Sequence, residues 1–200
     1  MKAIETFFPK KFEMDFDPSL RHFERYSECI KILKKLGPNE LWLDCACGCG
    51  YGTNLLSNFT KHVIGYDINK DAIKYAQKIY KTPDCTFVND LSTIKDQQFN
   101  VILSIETIEH MPSNKGIEFL TTLNTLLKKD GDFVITTPIV PETNYNPSNK
   151  FHSLEYSNKD FTELLNKTGF EIQDSYFIET TFTDGETKDQ GYYKCKKALK

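Results

Sequence analysis

The chain has 200 residues, 39% of them hydrophobic and 26% charged, with a formal net charge of −3. That size and balance fit one compact domain with a full core and exclude a disordered chain. The acidic sign argues against non-specific nucleic-acid binding, which draws on a basic excess, and no run approaches the roughly 18 apolar residues of a membrane span.

The opening MKAIETFFPKKFEMDFD lacks the apolar core of a signal peptide, so a cytosolic setting is expected, with the six cysteines as thiols. SLRHFERYSECIKILKKLG, over 18–37, reads as a helix ahead of the first strand. LWLDCA is a buried strand, TNLLSNF a helix, HVIGYDI a second strand. KDAIKYAQKIY places Ala72, Ile73, Ala76 and Ile79 on one side of a helix, and CTFVND and the nearly all-apolar NVILSIE are strands. GIEFLTTLNTLLKK is a helix with Ile117, Leu120, Leu123, Leu126 and Leu127 in phase, closed by KKDG. DFVITTP is a further strand. Continuous apolar strands alternating with helices imply an α/β domain whose parallel sheet is covered on both faces.

After Pro138 the pattern loosens. IVPETNYNPSNKFHSLEYS is expected to be a long loop, and long loops inside compact domains are usually functional. A helix follows in NKDFTELLNKTG, with Asn158 as N-cap and Gly169 as its stop; FEIQDSYFIET and GYYKCKKAL read as a closing pair of strands. There is no internal repeat or domain-scale linker, so one domain spans 1–200, with a core at 41–138 and a substrate loop and closing strands at 139–200.

LDCACGCGYGT, Leu43 to Thr53, is the least ordinary stretch. A structural zinc site uses two Cys pairs at Cys-x2-4-Cys spacing, whereas Cys45, Cys47 and Cys49 lie two apart with no second pair; Cys45 and Cys47 would share one face of a strand and cannot surround an ion. No metal is expected, and no redox Cys-x-x-Cys pair exists. Gly48, Gly50 and Gly52 instead make a turn between strand and helix, where backbone N–H groups meet a ligand. Asp67 ends the second strand, and in an open parallel sheet the carboxyl ends of neighbouring strands line one crevice. A turn plus a strand-end acid implies a nucleoside-containing ligand. The NAD fingerprint is G-x-G-x-x-G, but this loop is G-x-G-x-G, Asp44 stands within the strand, and Asp90 ends the third strand.

LWLDCACGCGYGT, VIGYDIN, FVND and FNVILSIETIEHM resemble, in order and spacing, the first four motifs of class I S-adenosylmethionine-dependent methyltransferases. The resemblance covers Leu41 to about Pro138, and HFERY, ETIEHM and NKFHSLEYS are similar to a bacterial subgroup associated with glycan methylation. It implies a single Rossmann-like domain with a mostly parallel seven-stranded sheet. It also implies S-adenosylmethionine as cofactor and a small-molecule or saccharide acceptor, with neither nucleic acid nor membrane as partner. Ala46 departs from the glycine of many relatives.

On that resemblance, backbone at Ala46, Cys47, Gly48 and Gly50 holds the methionyl part, Asp67 the ribose, and Asp90 and Leu91 the adenine, with Ile68 a further cofactor-binding residue. Asp44 holds the cofactor's ammonium, directly or through water; Arg25 or Tyr26 reaches its carboxylate, and Glu106 lines the pocket. His110, at the end of the fourth strand, is the candidate general base, with Glu109 orienting it or capping a helix. His152 binds acceptor or acts as a second base, with Glu155 and Tyr156 nearby to hydrogen-bond a polar acceptor. The alternatives are an NAD(P)-dependent oxidoreductase and a catalytically idle nucleoside-binding regulator.

Overall fold

The computed structural model describes residues 18–33, 37, 39–145, 151–181 and 187–198, with side chains from Phe23 onward apart from Thr181. Seven strands form one sheet: β1 (Leu41–Cys45), β2 (His62–Tyr66), β3 (Cys85–Val88), β4 (Phe99–Ile105), β5 (Leu127–Ile139), β6 (Phe170–Thr181) and β7 (Thr187–Lys197). Their order is β3-β2-β1-β4-β5-β7-β6. The pairings among β1 to β5 are parallel, and β7 runs antiparallel to both β5 and β6. The chain is therefore an α/β Rossmann-like domain, mostly parallel with one antiparallel hairpin. Strand order reverses between β1 and β4, and such a switch point opens a crevice at the carboxyl ends of the strands.

Side chains alternate across the sheet and build a core on each face. Leu43, Ile102, Phe133, Ile135 and Tyr193 pack with Leu120, Leu123, Phe161 and Leu165 of α4 (Ser113–Leu126) and α5 (Asn158–Lys167). Their neighbours Trp42, Val101, Leu103, Val134 and Tyr192 point the other way. They meet Cys29 and Ile32 of α1 (Pro18–Leu33), Leu56 of α2 (Tyr51–Leu56), and Ile73 and Ala76 of α3 (Lys70–Ile79).

Several local expectations are corrected. The KKDG segment does not stop a helix: α4 ends at Leu126 and β5 begins at Leu127, so Lys128 to Gly131 belong to the strand. The reason is tertiary, since Leu127 is taken into register beside Phe99 of β4. Ser157, not Asn158, caps α5, its side chain accepting from the Asp160 N–H; Gly169 does end that helix, with φ +88°. Ile79 is exposed rather than on the buried side of α3. The loop after Pro138 is partly ordered by bridges from Ile139 to Tyr156 and from Asn144 to Glu155, and residues 146–150 of it lie outside the described residues. The far end of the N-terminal helix, 34–36, lies outside them as well.

Candidate functional site

The glycine turn is closed by its own backbone and by Asp67. The N–H groups of Ala46 and Cys47 donate to the Tyr66 carbonyl at 2.7 and 2.9 Å, which bends the chain as β1 ends. Gly48 N–H donates to Asp67 Oδ2 at 2.8 Å, and Asn69 N–H donates to Oδ1 at 2.8 Å. Gly48 has φ +53°, and a Cβ there would meet nothing within 4 Å, so this stretch of main chain lies open to a ligand. Burial raises the Asp67 pKa, while the two N–H bonds oppose the rise. The helix behind the turn is short, Tyr51–Leu56, so the open main chain at Gly48 and the Asp67 carboxylate, more than a helix dipole, define the chemistry here.

Asp44 sits at the base of the turn with no exposed surface. The Tyr26 hydroxyl lies 3.0 Å from both of its oxygens, and Thr53 Oγ1 donates to Oδ2 at 2.6 Å. Burial pushes its pKa up to about 6, against those hydrogen bonds. Asp44 thus ties α1, β1 and α2 together at the base of the turn. Gly52 is what lets Tyr26 in, since a Cβ there would stand 2.0 Å from the Tyr26 ring.

Arg25, one residue before Tyr26, is turned to the neighbouring strand. Its Nη2 pairs with Glu106 Oε2 at 3.2 Å, the two side chains being 10% and 8% exposed. Glu106 directly follows β4 with φ +52°, a conformation an L residue holds at a cost of roughly 1–2 kcal/mol. Its other oxygen accepts from Thr136 Oγ1 at 2.8 Å and Gln190 Nε2 at 2.6 Å, which fixes the bend. Consecutive residues of α1 therefore anchor the ends of β1 and β4, the two walls of the switch-point crevice.

Just beyond that bend, Glu109, His110 and His152 come together, each offering a ligand atom within 4.8 Å of the others. Glu109 is 1% exposed; burial pushes its pKa well up, and Thr137 Oγ1 donates to it at 3.3 Å. His110 Nδ1 donates to the Phe151 carbonyl at 2.9 Å, and its Nε2 lies 4.0 Å from Glu109 Oε1. Desolvation lowers the His110 pKa. His152 Nδ1 donates to Glu155 Oε1 at 2.6 Å, and Lys188 Nζ binds the same carboxylate at 3.1 and 3.0 Å. The two imidazoles cross edge to face with centroids 5.1 Å apart. The segment is sewn down by Ser153 and Leu154, whose N–H groups donate to the Glu109 carbonyl at 2.7 and 3.1 Å.

On the far side of the turn, Asp90 is exposed and caps a short 3-10 turn, Leu91–Thr93, accepting from the Ser92 N–H at 2.8 Å. Ile68 is 61% exposed, an apolar surface next to Asp67. The cysteines are packing residues. All six are buried, and burial raises every one of their thiols, Cys49 to about 11. Cys45 and Cys47 do not share a face, because the positive φ of Ala46, +68°, turns the chain between them and sends them to opposite cores. Among the described residues no cysteine joins a group of three or more candidate metal ligands.

Sequence reasoning missed Thr53, Thr136, Thr137, Gln190 and Lys188. Three are threonines that patterning cannot tell from ordinary strand or helix residues, and Lys188 and Gln190 reach the site only through the antiparallel hairpin.

A family model described as a methyltransferase domain matches residues 20–175. A probable S-adenosylmethionine-dependent methyltransferase of Mycolicibacterium smegmatis is 28% identical over 137 residues, 66% of this chain and 52% of that protein. The chain thus spans about half the length of the mycobacterial relatives it matches. Among solved structures, Burkholderia thailandensis 1,6-didemethyltoxoflavin-N1-methyltransferase, with its substrate and S-adenosylhomocysteine bound, is similar with a TM-score of 0.72 and 17% identity over 88% of this chain and 77% of that one. Magnesium protoporphyrin IX methyltransferase of Synechocystis PCC 6803, with S-adenosylmethionine bound, gives 0.72 and 16% over 94% of this chain and 86% of that one.

Proposed function

The chain belongs to the class I S-adenosylmethionine-dependent methyltransferases, and from that premise we propose that it moves the sulfonium methyl group of S-adenosylmethionine to a hydroxyl oxygen of a small polar or saccharide acceptor. The single observation that supports this most is the joint between Gly48 and Asp67, which puts open backbone and a strand-end carboxylate into one crevice at the switch point. The turn from Ala46 to Gly50 holds the methionyl part. Asp67 accepts from the ribose hydroxyls with the lone pairs left over from Gly48 and Asn69. Ile68 and Leu91 offer apolar contact to the adenine, with Asp90 at its polar edge. Arg25, Tyr26, Asp44 and Glu106 keep the walls of the crevice in place.

Transfer is an in-line displacement. The acceptor oxygen forms a bond to the methyl carbon, the carbon–sulfur bond breaks with its electron pair returning to sulfur, and neutral S-adenosylhomocysteine leaves. The protein's work is alignment, exclusion of water and removal of the hydroxyl proton. The group placed to deal with that proton is the cluster of Glu109, His110 and His152 beyond β4, with His110 the base nearest the strand end. A neutral amine acceptor would need no such group, which is why oxygen is favoured. Exposed rings of Tyr145 and Phe151 on the segment that carries His152 suit stacking against a sugar.

Among the described residues no helix is long and apolar enough to cross a membrane. We place the chain in a reducing, cytosolic setting, where six buried cysteines persist as thiols.

The test is a screen of hydroxylated acceptors, reading release of S-adenosylhomocysteine, followed by His110→Ala on the best one. Turnover should fall roughly 10²–10⁴-fold while affinity for S-adenosylhomocysteine holds. Binding of the cofactor product with no turnover on any acceptor would favour the idle regulator, and stabilisation by NAD alone would overturn the reading.

A further inference from the structure

We propose that Glu109, His110 and His152 form a binding site for one divalent transition-metal ion, which takes the acceptor's hydroxyl as a further ligand. The inference rests on the methyl-transfer reading for the role of the ion but not for its binding.

Three features point to a cation. The donor set is two imidazoles and one carboxylate, which suits zinc, manganese or cobalt better than magnesium. Each imidazole has its Nδ1 committed to an acceptor, the Phe151 carbonyl for His110 and the Glu155 carboxylate for His152. That fixes both tautomers and leaves both Nε2 lone pairs as the available donors. A metal-bound histidine nearly always gives its second nitrogen to a carbonyl or carboxylate in this way. The third feature is Glu109. It is buried, the nearby Arg25 guanidinium is paired with Glu106, and among the described residues Thr137 is the one side chain that donates to its carboxyl, at 3.3 Å, beside its own backbone N–H. Burial by itself favours the neutral acid, so a cation beside it is what would hold this carboxylate ionised.

Donors around one ion at roughly 2.0–2.1 Å stand about 3.0–3.5 Å apart, so the three groups draw inward from their present separations of up to 4.8 Å. Both histidines are only partly buried, and His152 lies on the segment outside the regular elements, which leaves room for that movement. Three protein ligands leave coordination positions open, the arrangement of a catalytic ion. A hydroxyl bound there is acidified, as water is from 15.7 to about 7 on zinc. Its proton then leaves to solvent, and the resulting alkoxide attacks the methyl carbon. With the ion in place the same cluster still deals with the hydroxyl proton, His110 acting as a ligand of the ion in place of a free base.

The experiment is a Co²⁺ titration of the full chain, kept reduced with a phosphine, followed by visible absorption and chased with Zn²⁺. S-adenosylhomocysteine binding is measured in parallel by calorimetry. One Co²⁺ should bind per chain with nitrogen and oxygen ligation, and Zn²⁺ should displace it. Glu155→Gln, which keeps all three ligands, should weaken uptake roughly 10–100-fold. His110→Ala and His152→Ala should weaken it further, and all three variants should keep their affinity for S-adenosylhomocysteine, which also shows that they fold. No cobalt uptake, uptake unchanged in the histidine variants, or a thiolate-to-cobalt band reporting cysteine ligation would each overturn the site. Loss of S-adenosylhomocysteine binding in the wild type would instead overturn the cofactor reading, whatever the cobalt result.

Discussion

Gly48 donates its backbone N–H to Asp67 Oδ2 over 2.8 Å, so the acid expected to hold a ribose also holds the turn that faces it. Asp67→Ala therefore removes two things together. Charge-assisted hydrogen bonds are worth about 1.5–3 kcal/mol, so affinity for S-adenosylhomocysteine should fall at least about tenfold. Thermal unfolding of the ligand-free protein should shift down as well. Calorimetry giving unchanged affinity would remove Asp67 from the cofactor site.

Gly52 sets the approach of Tyr26 to Asp44. In Gly52→Ala the new methyl would lie 2.0 Å from Tyr26 Cζ, so the ring must leave and Asp44 loses a partner. Overpacking of this kind costs about 1–3 kcal/mol. Removing the ring first, in Tyr26→Ala, should make the further change at Gly52 nearly neutral. A double-mutant cycle in urea measures this, and additive effects would show that the two residues do not touch.

Ala46 holds φ +68°, which costs an L residue about 1–2 kcal/mol. Glycine relieves that strain but adds about 0.4–1 kcal/mol of unfolded-state entropy to be lost. Ala46→Gly should thus gain roughly 0.5–1 kcal/mol, visible as a melting temperature higher by a few degrees. A lower melting temperature would mean that the Ala46 methyl packs favourably.

Asp44 predicts a pH dependence. Its pKa is raised by burial from 3.8 to about 6, so the folded state binds more protons than the unfolded state between those values. Stability from this group is then lost as pH rises from about 4 to about 6, and stays lost above, to an extent of up to about 3 kcal/mol. Asp67, also raised by burial, acts with the same sign. Asp44→Asn, neutral throughout, should be more stable than the wild type at pH 7.5 by up to that amount, with the advantage shrinking toward pH 4.5. Urea unfolding at both pH values measures it; an equal difference at both would assign the effect to hydrogen bonding instead of charge.

Much of this was legible in the residues. The apolar runs at NVILSIE and DFVITTP name central strands because nothing else is so uniformly apolar, and the glycines beside Asp67 mark the crevice because few other uses of that pattern exist. Other features depend on pairing across the sheet. Leu127 continues the helical phase of α4, yet the ladder with Phe99 takes it into β5. Cys45 and Cys47 have strand spacing, but the positive φ at Ala46 separates them. The resemblance has Arg25 or Tyr26 reach the cofactor's carboxylate. Their partners in the fold, Glu106 and Asp44, lie 81 and 18 positions along the chain, beyond the reach of any local pattern. The meeting of His152 with His110 and Glu109 likewise depends on how one loop is sewn to the end of β4.

The central claim is that the joint of Gly48 and Asp67 grips an adenosyl sulfonium. Calorimetry of the full chain with S-adenosylhomocysteine and, separately, with NAD tests it most directly. One S-adenosylhomocysteine should bind per chain, at least about tenfold more weakly to Asp67→Ala, with no heat from NAD. Binding of NAD without S-adenosylhomocysteine, or equal affinity in the wild type and Asp67→Ala, would contradict it.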